Sequence, residues 1–275
     1  MKLTHALALG PLRPLPMPSL LRPLGLIAAL LGPALASATA GAAGLPDPLN
    51  SARWQDMRQQ YFAQARVSFD PRVKVSAPGV AEDPLQVPVT VDASALPDVR
   101  QVLVIADFNP YPLALRFSPQ GAKAFLGFRL KLQQSSPVRA AALDSEGVWH
   151  VGGAWVNTTG GGCSLPAVGS GSPEWQQRLN QVSGRLWDRG GDGERLRLRL
   201  IHPMDTGLAP GIPAFYLQEI ALADAAGAEL MHIESFEPVS ENPVFTLNLQ
   251  PGTPAPIQVR GRDNNGNQVD ARVEP

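Results

Sequence analysis

Alternation of apolar and polar residues dominates the chain after its first seventy residues. Leucine alternates with charged residues from Glu194 to Ile201, and apolar residues occupy every second position from Leu85 to Val91. A period of two places alternate side chains on one face of a β-strand, so each run predicts a half-buried strand. Further strands are predicted over residues 72–75, 99–106, 124–132, 138–143, 148–156, 215–223, 229–236, 243–249 and 257–261. Short strands separated by Pro, Gly, Asp and Ser turns are typical of antiparallel β-sandwiches.

Two segments have helical spacing instead. Apolar residues recur every three or four positions within residues 50–65, which predicts a short helix. The same spacing continues from Trp175 to Leu186, and Ser172 followed by Pro173 is a helix start signal. We therefore expect two all-β modules, a short helix before the first module and a second short helix in the linker between them.

The domain boundaries follow from these patterns. Residues 1–38 are predicted to be a signal peptide, and residues 47–166 a β-sandwich that ends in an arm with the cysteine. Residues 167–193 are predicted to be the linker with its short helix, and residues 194–275 a second β-sandwich.

The amino-terminal region has the layout of an export signal. Lys2, Arg13 and Arg22 precede the apolar run Leu24–Leu31, and small residues suited to cleavage follow at positions 34–38. The apolar run is shorter than the ~20 residues that span a bilayer, which favours a cleaved signal over an uncleaved anchor. We expect the mature protein in the periplasm, without membrane attachment.

Composition narrows the classes of function. The chain has 275 residues, 44% of them hydrophobic, and a formal net charge of −1. A nearly neutral chain gives no electrostatic reason to bind nucleic acid or an anionic membrane surface.

The chain has a single cysteine, Cys163, which follows three glycines. It cannot form an internal disulfide, and a leftover cysteine in an exported protein indicates intermolecular pairing or chemistry. We predict that Cys163 is a covalent attachment site on a mobile arm, whose hinge and arm residues are Gly160, Gly161, Gly162 and Ser164. No charged side chain occurs within ten residues of the cysteine, so its thiol is expected to be ordinary until a partner's active site surrounds it. The alternative is a cysteine that only fills space in a surface loop.

Three features of the first half resemble a known family. They are the Val-Lys-Val-Ser-Ala-Pro entry at residues 73–78, the corner Asn109–Pro110 and the Gly-Gly-Cys arm that ends at Cys163. Together they resemble SoxY, the sulfur-carrying subunit of the periplasmic thiosulfate-oxidising system. SoxY ends at its arm, whereas here Ser164 and the rest of the second module follow the cysteine. A loop tethered at both ends has less reach than a free end, so we expect a presented loop with limited travel.

Four blocks of the second half resemble SoxZ, the partner subunit of SoxY. They are Leu200–Gly207, Ile212–Tyr216, Ser240–Pro243 and Asp263–Gly266. A single chain with both modules resembles the fused SoxYZ-like carriers associated with quinoprotein (PQQ-dependent) alcohol dehydrogenases. The resemblance implies two Ig-like β-sandwiches that pair within the chain, and a carrier role for Cys163. It also implies partners among periplasmic sulfur-handling enzymes, quinoprotein dehydrogenases or cytochromes.

The carrier interpretation predicts no catalytic residue, cofactor or metal in this chain, which would not be an enzyme by itself. The alternative is a periplasmic binding or maturation factor that assists a quinoprotein dehydrogenase without covalent chemistry. A cysteine hydrolase would need a histidine base, for which His202 is the best candidate, but no oxyanion-hole motif accompanies it. Cys163, His202 and Met204 are ligand types that suit copper, yet their spacing has no ligand signature.

Structural roles are predicted for two sets of polar residues in the second module, the alternating arginines and the Asp205–Thr206 pair. Arg195, Arg197 and Arg199 alternate with leucine, which favours a solvated sheet face over an anion site. Asp205 and Thr206 are predicted to shape a turn before Gly207, because such side chains bond to their own downstream backbone.

Overall fold

A computed structural model describes residues 46–168 and 173–275, so the predicted signal peptide lies outside the described residues. Its α-helices are α1 (Trp54–Tyr61) and α2 (Pro173–Gln177), and Gly190–Asp192 forms a short 3-10 helix. Its strands are β1 (Arg66–Phe69), β2 (Lys74–Ser76), β3 (Val80–Ala81), β4 (Val87–Asp92), β5 (Gln101–Ala106), β6 (Leu113–Pro119), β7 (Ala122–Leu130), β8 (Ser136–Leu143), β9 (Val148–Thr158), β10 (Val182–Asp188), β11 (Glu194–Leu200), β12 (Asp205–Thr206), β13 (Ala214–Phe215), β14 (Leu217–Ala223), β15 (Glu229–Ser235), β16 (Val244–Leu249), β17 (Ile257–Asp263) and β18 (Gln268–Val273).

The strands form two large sheets. The ten-stranded sheet has the order β1-β9-β8-β5-β6-β15-β14-β17-β18, with β3 also paired to β9. The six-stranded sheet has the order β10-β11-β16-β7-β4-β2, and β12 pairs with β13 separately. The pairs are antiparallel except for β1 and β3, which run parallel to β9. The predicted all-β, sandwich-type fold class is confirmed.

The two halves of the chain share both sheets. In the ten-stranded sheet β6 of the first half pairs with β15 of the second, where Phe117 lies opposite Ile233. In the six-stranded sheet β7 pairs with β16, where Leu126 lies opposite Leu247. One hydrophobic core contains buried residues of both sheets and of both halves. The expected pairing of the halves therefore takes place through hydrogen-bonded strands.

Helix α1 covers the outer face of the ten-stranded sheet. Trp54 and Met57 of the helix, with Phe62 just after it, pack in a second core cluster with Leu103 and Trp149. This packing confirms the predicted apolar face, although the helix is shorter than residues 50–65. Among the described residues, no helix combines the length and the apolar character that crossing a membrane requires.

The second predicted helix is wrong over most of its length. Helix α2 ends at Gln177, and Val182–Asp188 forms β10, which pairs with β11 along its whole length. Val182 and Leu186 are four residues apart, a spacing that a helix face and a strand face share. Gly184 between them disfavours a helix, and in the strand it leaves room for β18, because a Cβ there would lie 2.5 Å from a methyl group of Val273.

Candidate functional site

The cysteine loop, which we define as residues 159–168, lies against the segment that follows β7. The amide of Gly161 donates to the carbonyl oxygen of Gln133 at 2.9 Å, and the amide of Gly162 donates to that of Leu132 at 3.0 Å. The loop is therefore hydrogen-bonded to the first half of the chain through its backbone.

Two of the three glycines are needed for this close approach. A Cβ at Gly162 would lie 2.2 Å from the carbonyl oxygen of Pro84, and one at Gly160 would lie 2.5 Å from that of Gln133. A Cβ at Gly161 would meet nothing within 4 Å, although its φ of +89° favours glycine. The described conformation is a docked loop, unlike the mobile arm that the glycines predicted. The hinge role of these residues stays a prediction.

Asn109, from the predicted Asn-Pro corner, holds the segment on which the loop docks. Its side-chain amide donates to the carbonyl oxygen of Lys131 at 2.8 Å, and its Oδ1 accepts from the amide of Gln133 at 2.9 Å. The Ser164 hydroxyl then donates to the side-chain oxygen of Gln133 at 3.0 Å. One buried asparagine thus links the corner after β5 to the cysteine loop.

The Cys163 thiol is buried beneath this loop. Its side chain is 1% exposed, and its Sγ donates to the carbonyl oxygen of Lys131 at 3.7 Å. Burial raises the pKa of the thiol to about 12, and the nearby positive charge of Lys131 only partly offsets that effect. In this conformation the thiol is therefore less acidic than the ordinary thiol that the sequence predicted, and its presentation to partners stays a prediction.

Residues of the second half hold the loop in place. Thr206 Oγ1 donates to the carbonyl oxygen of Cys163 at 2.6 Å. The amide of Ala167 donates to Asp205 Oδ1 at 3.0 Å, and the amide of Val168 donates to Glu241 Oε2 at 2.8 Å. We call Asp205, Thr206 and Glu241 the clamp. The cysteine loop thus lies between the two halves and is bonded to both.

Lys131 is a buried cation beside the thiol. Its ammonium group donates to the carbonyl oxygen of Met204, which belongs to the second half. Burial lowers the pKa of Lys131, whereas the carboxylates of Asp205 and Glu241 raise it. The cation was missed in the sequence because it lies 32 positions before Cys163. Only the fold brings it to the thiol.

The roles predicted for Asp205 and Thr206 were incomplete. Thr206 Oγ1 does accept from the amide of Leu208 at 3.2 Å, and Gly207 has a φ of +77°, so the turn itself is present. Both side chains also bond to the cysteine loop, which no local pattern indicated. Their partners lie about forty positions earlier in the chain.

His202 is a structural residue in this arrangement. It is fully buried, and its Nδ1 accepts from the amide of Met204 at 3.0 Å, so the neutral ring carries its proton on Nε2. Nε2 lies 3.6 Å from Asp263 Oδ2, and the ring packs on Phe215 at 4.5 Å between centroids. Burial lowers the pKa of His202 to about 4. In the described part of the chain no hydrogen bond joins His202 to Cys163, so the candidate hydrolase dyad is not assembled.

The three candidate copper ligands are engaged in other contacts. Met204 Sδ accepts from the amide of Leu217 at 3.3 Å, His202 Nδ1 accepts from a backbone amide, and the Cys163 thiol faces a carbonyl oxygen. Within residues 46–168 and 173–275, no group of three or more His, Cys, Asp and Glu side chains is placed to hold a metal ion.

Comparisons with known proteins match both halves of the chain. The family model "Sulfur oxidation protein SoxY" matches residues 58–163, and "Sulphur oxidation protein SoxZ" matches residues 188–274. Among solved structures, the sulfur carrier protein SoxY from Chlorobium limicola f thiosulfatophilum is 20% identical. The match covers 39% of this chain and 96% of that chain, with a TM-score of 0.35. No curated protein sequence matches the chain.

Proposed function

Because the chain is a SoxY-like domain fused to a SoxZ-like domain, and so belongs to the sulfur-oxidation carrier family, we propose that it carries a sulfur-linked group covalently on Cys163. The position of Cys163 supports this proposal. It is the chain's only cysteine, it is the last residue that the SoxY model matches, and both halves contact its loop. In this role the protein is a carrier and its partners perform the catalysis.

The buried thiol implies two states of the carrier. In the docked state the raised pKa keeps Cys163 protonated, so the thiol resists stray oxidation between encounters. Loading requires the loop to leave the clamp, after which the thiol regains an ordinary pKa. The thiolate then attacks the outer sulfur of a partner's persulfide, and the partner's own sulfur leaves as a thiolate. The exchange conserves electrons and needs no external oxidant.

The partners and the location follow from the same proposal. Export by the predicted signal peptide would place the carrier in the periplasm, beside sulfur-handling enzymes or a quinoprotein dehydrogenase and its cytochrome. The exposed side chains of Leu165 and Val168 lie on the cysteine loop itself, so a partner that approaches the thiol meets apolar surface first.

The mass of Cys163 tests the carrier function. Protein purified without reductant from its native cells is expected to carry an S-linked adduct on Cys163, such as a persulfide, a thiosulfonate or a mixed disulfide. The adduct should disappear after reduction and should be absent from a Cys163→Ser variant. A free thiol in every preparation, combined with an unchanged phenotype in the Cys163→Ser strain, would refute the proposal.

The burial of the thiol favours one second candidate, a binding or maturation factor that acts without covalent chemistry. In that case Cys163 would serve packing between the halves, as its 1% exposure allows. A Cys163→Ala strain that keeps the full dehydrogenase-linked phenotype would support this candidate, whereas loss of the phenotype with a folded protein would support the covalent carrier.

A further inference from the structure

The outer face of the six-stranded sheet has a concentration of arginines that the carrier function does not use. Arg197 and Arg199 of β11 and Arg129 of β7 have exposed side chains on this face. Strand β16 separates β11 from β7 in the sheet, so the two sets of arginines stand about 10 Å apart. Guanidinium groups on such long side chains can converge on a ligand between them.

These three arginines have no carboxylate partner among the described residues, whereas other arginines on the same protein do. Arg116 pairs with Glu234 at 3.0 Å, and Arg262 pairs with Glu219 at 2.9 Å. On the arginine-bearing face, Arg195 donates to Asn248 at 3.1 Å instead of to a carboxylate. The three arginines line one cavity on this face beside a single carboxylate, Glu241, so a positive local potential is expected there.

Small side chains on the central strands leave a trough between the arginines. Arg197 lies opposite Thr246, and Thr246 lies opposite Gly127, so a threonine and a glycine occupy the floor. Two adjoining cavities, of about 320 and 260 Å³, open on this face. Arg129 and Arg197 line both of them, which makes the two cavities one continuous trough.

The two ends of the trough differ in chemistry. The first cavity adds the polar side chains of Gln86 and Asn242 to the arginines. Glu241 also lines it, and its Oε2 already accepts from a backbone amide of the cysteine loop. The second cavity adds Pro88 and Phe125, which present apolar surface. The guanidinium of Arg195 lies 5.5 Å from the centre of the Phe125 ring.

We propose that this trough binds a small organic anion with an acidic head and a flat apolar body. A carboxylate, sulfonate or sulfate head accepts hydrogen bonds from Arg129, Arg197 and Arg199, because guanidinium groups match such heads in a bidentate manner. The apolar body lies over Pro88 and Phe125. This proposal does not depend on the covalent chemistry of the cysteine.

Ligand-observed NMR with benzenesulfonate tests the site. At constant ionic strength the full protein is expected to bind benzenesulfonate saturably with a Kd of about 1 mM, and sulfate about tenfold more weakly. Arg197→Ala and Arg129→Ala should each raise the Kd for benzenesulfonate about tenfold. Phe125→Leu should weaken benzenesulfonate binding and leave sulfate binding unchanged.

Arg260→Ala is the matched control, because Arg260 is an exposed arginine on β17 of the other large sheet. It should leave both affinities unchanged, and circular dichroism should show that every variant is folded. The proposal is overturned if benzenesulfonate shows no saturable binding in the millimolar range. It is also overturned if Arg260→Ala weakens binding as much as Arg197→Ala, or if sulfate binds as tightly as benzenesulfonate.

Discussion

The chemistry of Cys163 is determined by its surroundings more than by its neighbours in sequence. The Cys163 thiol donates to the carbonyl oxygen of Lys131, and the buried ammonium group of Lys131 lies nearby. The Thr206 hydroxyl donates to the carbonyl oxygen of Cys163. Burial has the larger effect on the thiol, so the docked cysteine is protected. Reactivity at this position therefore reports the fraction of molecules in which the loop is open.

Removal of one clamp bond should increase that fraction. Thr206→Val keeps the shape of the side chain and deletes the hydroxyl that donates to Cys163. The loss of a hydrogen bond worth ~1 kcal/mol should raise the rate of Cys163 alkylation by iodoacetamide about fivefold. Thr246→Val, on the far strand β16, is the control and should react at the wild-type rate. Equal rates for Thr206→Val and wild type would show that this bond does not hold the loop closed.

The buried imidazole of His202 predicts a dependence of stability on pH. Its pKa is about 4 in the folded state, below the ordinary value of ~6.5 in the unfolded state. Between these two values the unfolded chain binds a proton that the folded chain does not, so stability falls as the pH drops from 6.5 towards 4. The loss attributable to His202 is at most about 3 kcal/mol.

His202→Asn tests this pH dependence, because the asparagine oxygen can replace Nδ1 as acceptor for the amide of Met204. Urea unfolding measured from pH 8 to pH 4 should give a steeper loss of free energy for wild type than for the variant. Parallel curves would mean that His202 does not titrate differently in the folded and unfolded states.

At the scale of elements, the docking of the cysteine loop depends on the absence of a side chain at one position. Gly162→Ala would place a methyl group 2.2 Å from the carbonyl oxygen of Pro84, so the cysteine loop must move away from Pro84. Gly161→Ala meets no atom within 4 Å and costs only the ~1 kcal/mol of a positive φ. We therefore expect Gly162→Ala to destabilise the protein more than Gly161→Ala, and to expose Cys163 to alkylation. If both variants react with iodoacetamide at the same rate, the close packing at Gly162 does not control access to the thiol.

Some strands could be predicted from sequence because one face is buried and the other faces solvent. Strand β11 alternates leucine with charged residues, and the sequence predicts it almost to the residue. The apolar residues of β10 are spaced by four, so the sequence predicts a helix there instead. The burial of Cys163 had no such signal. Its loop is polar and rich in glycine, and its contacts with Pro84, Lys131 and Thr206 join segments that are distant in sequence.

At the scale of the whole molecule, the two halves are expected to unfold cooperatively, because β6–β15 and β7–β16 pairs cross between them. Ile233 lies at the first crossing, fully buried and opposite Phe117. Ile233→Ala should cost about 3 kcal/mol and lower the unfolding midpoint of both halves together. Hydrogen exchange of peptides from each half, followed through the urea transition, measures this coupling. A first half that stays protected after the second half has exchanged would contradict it.

The occurrence of both halves in one chain changes what governs this pairing. Separate subunits would associate to an extent that depends on how much of each is present. A tether instead fixes the local concentration of one half around the other, on the order of millimolar for a short linker. Each cysteine loop then meets its own clamp at any dilution. Synthesis as one chain therefore guarantees a one-to-one ratio of the two halves, and protection of the thiol does not depend on the level of expression.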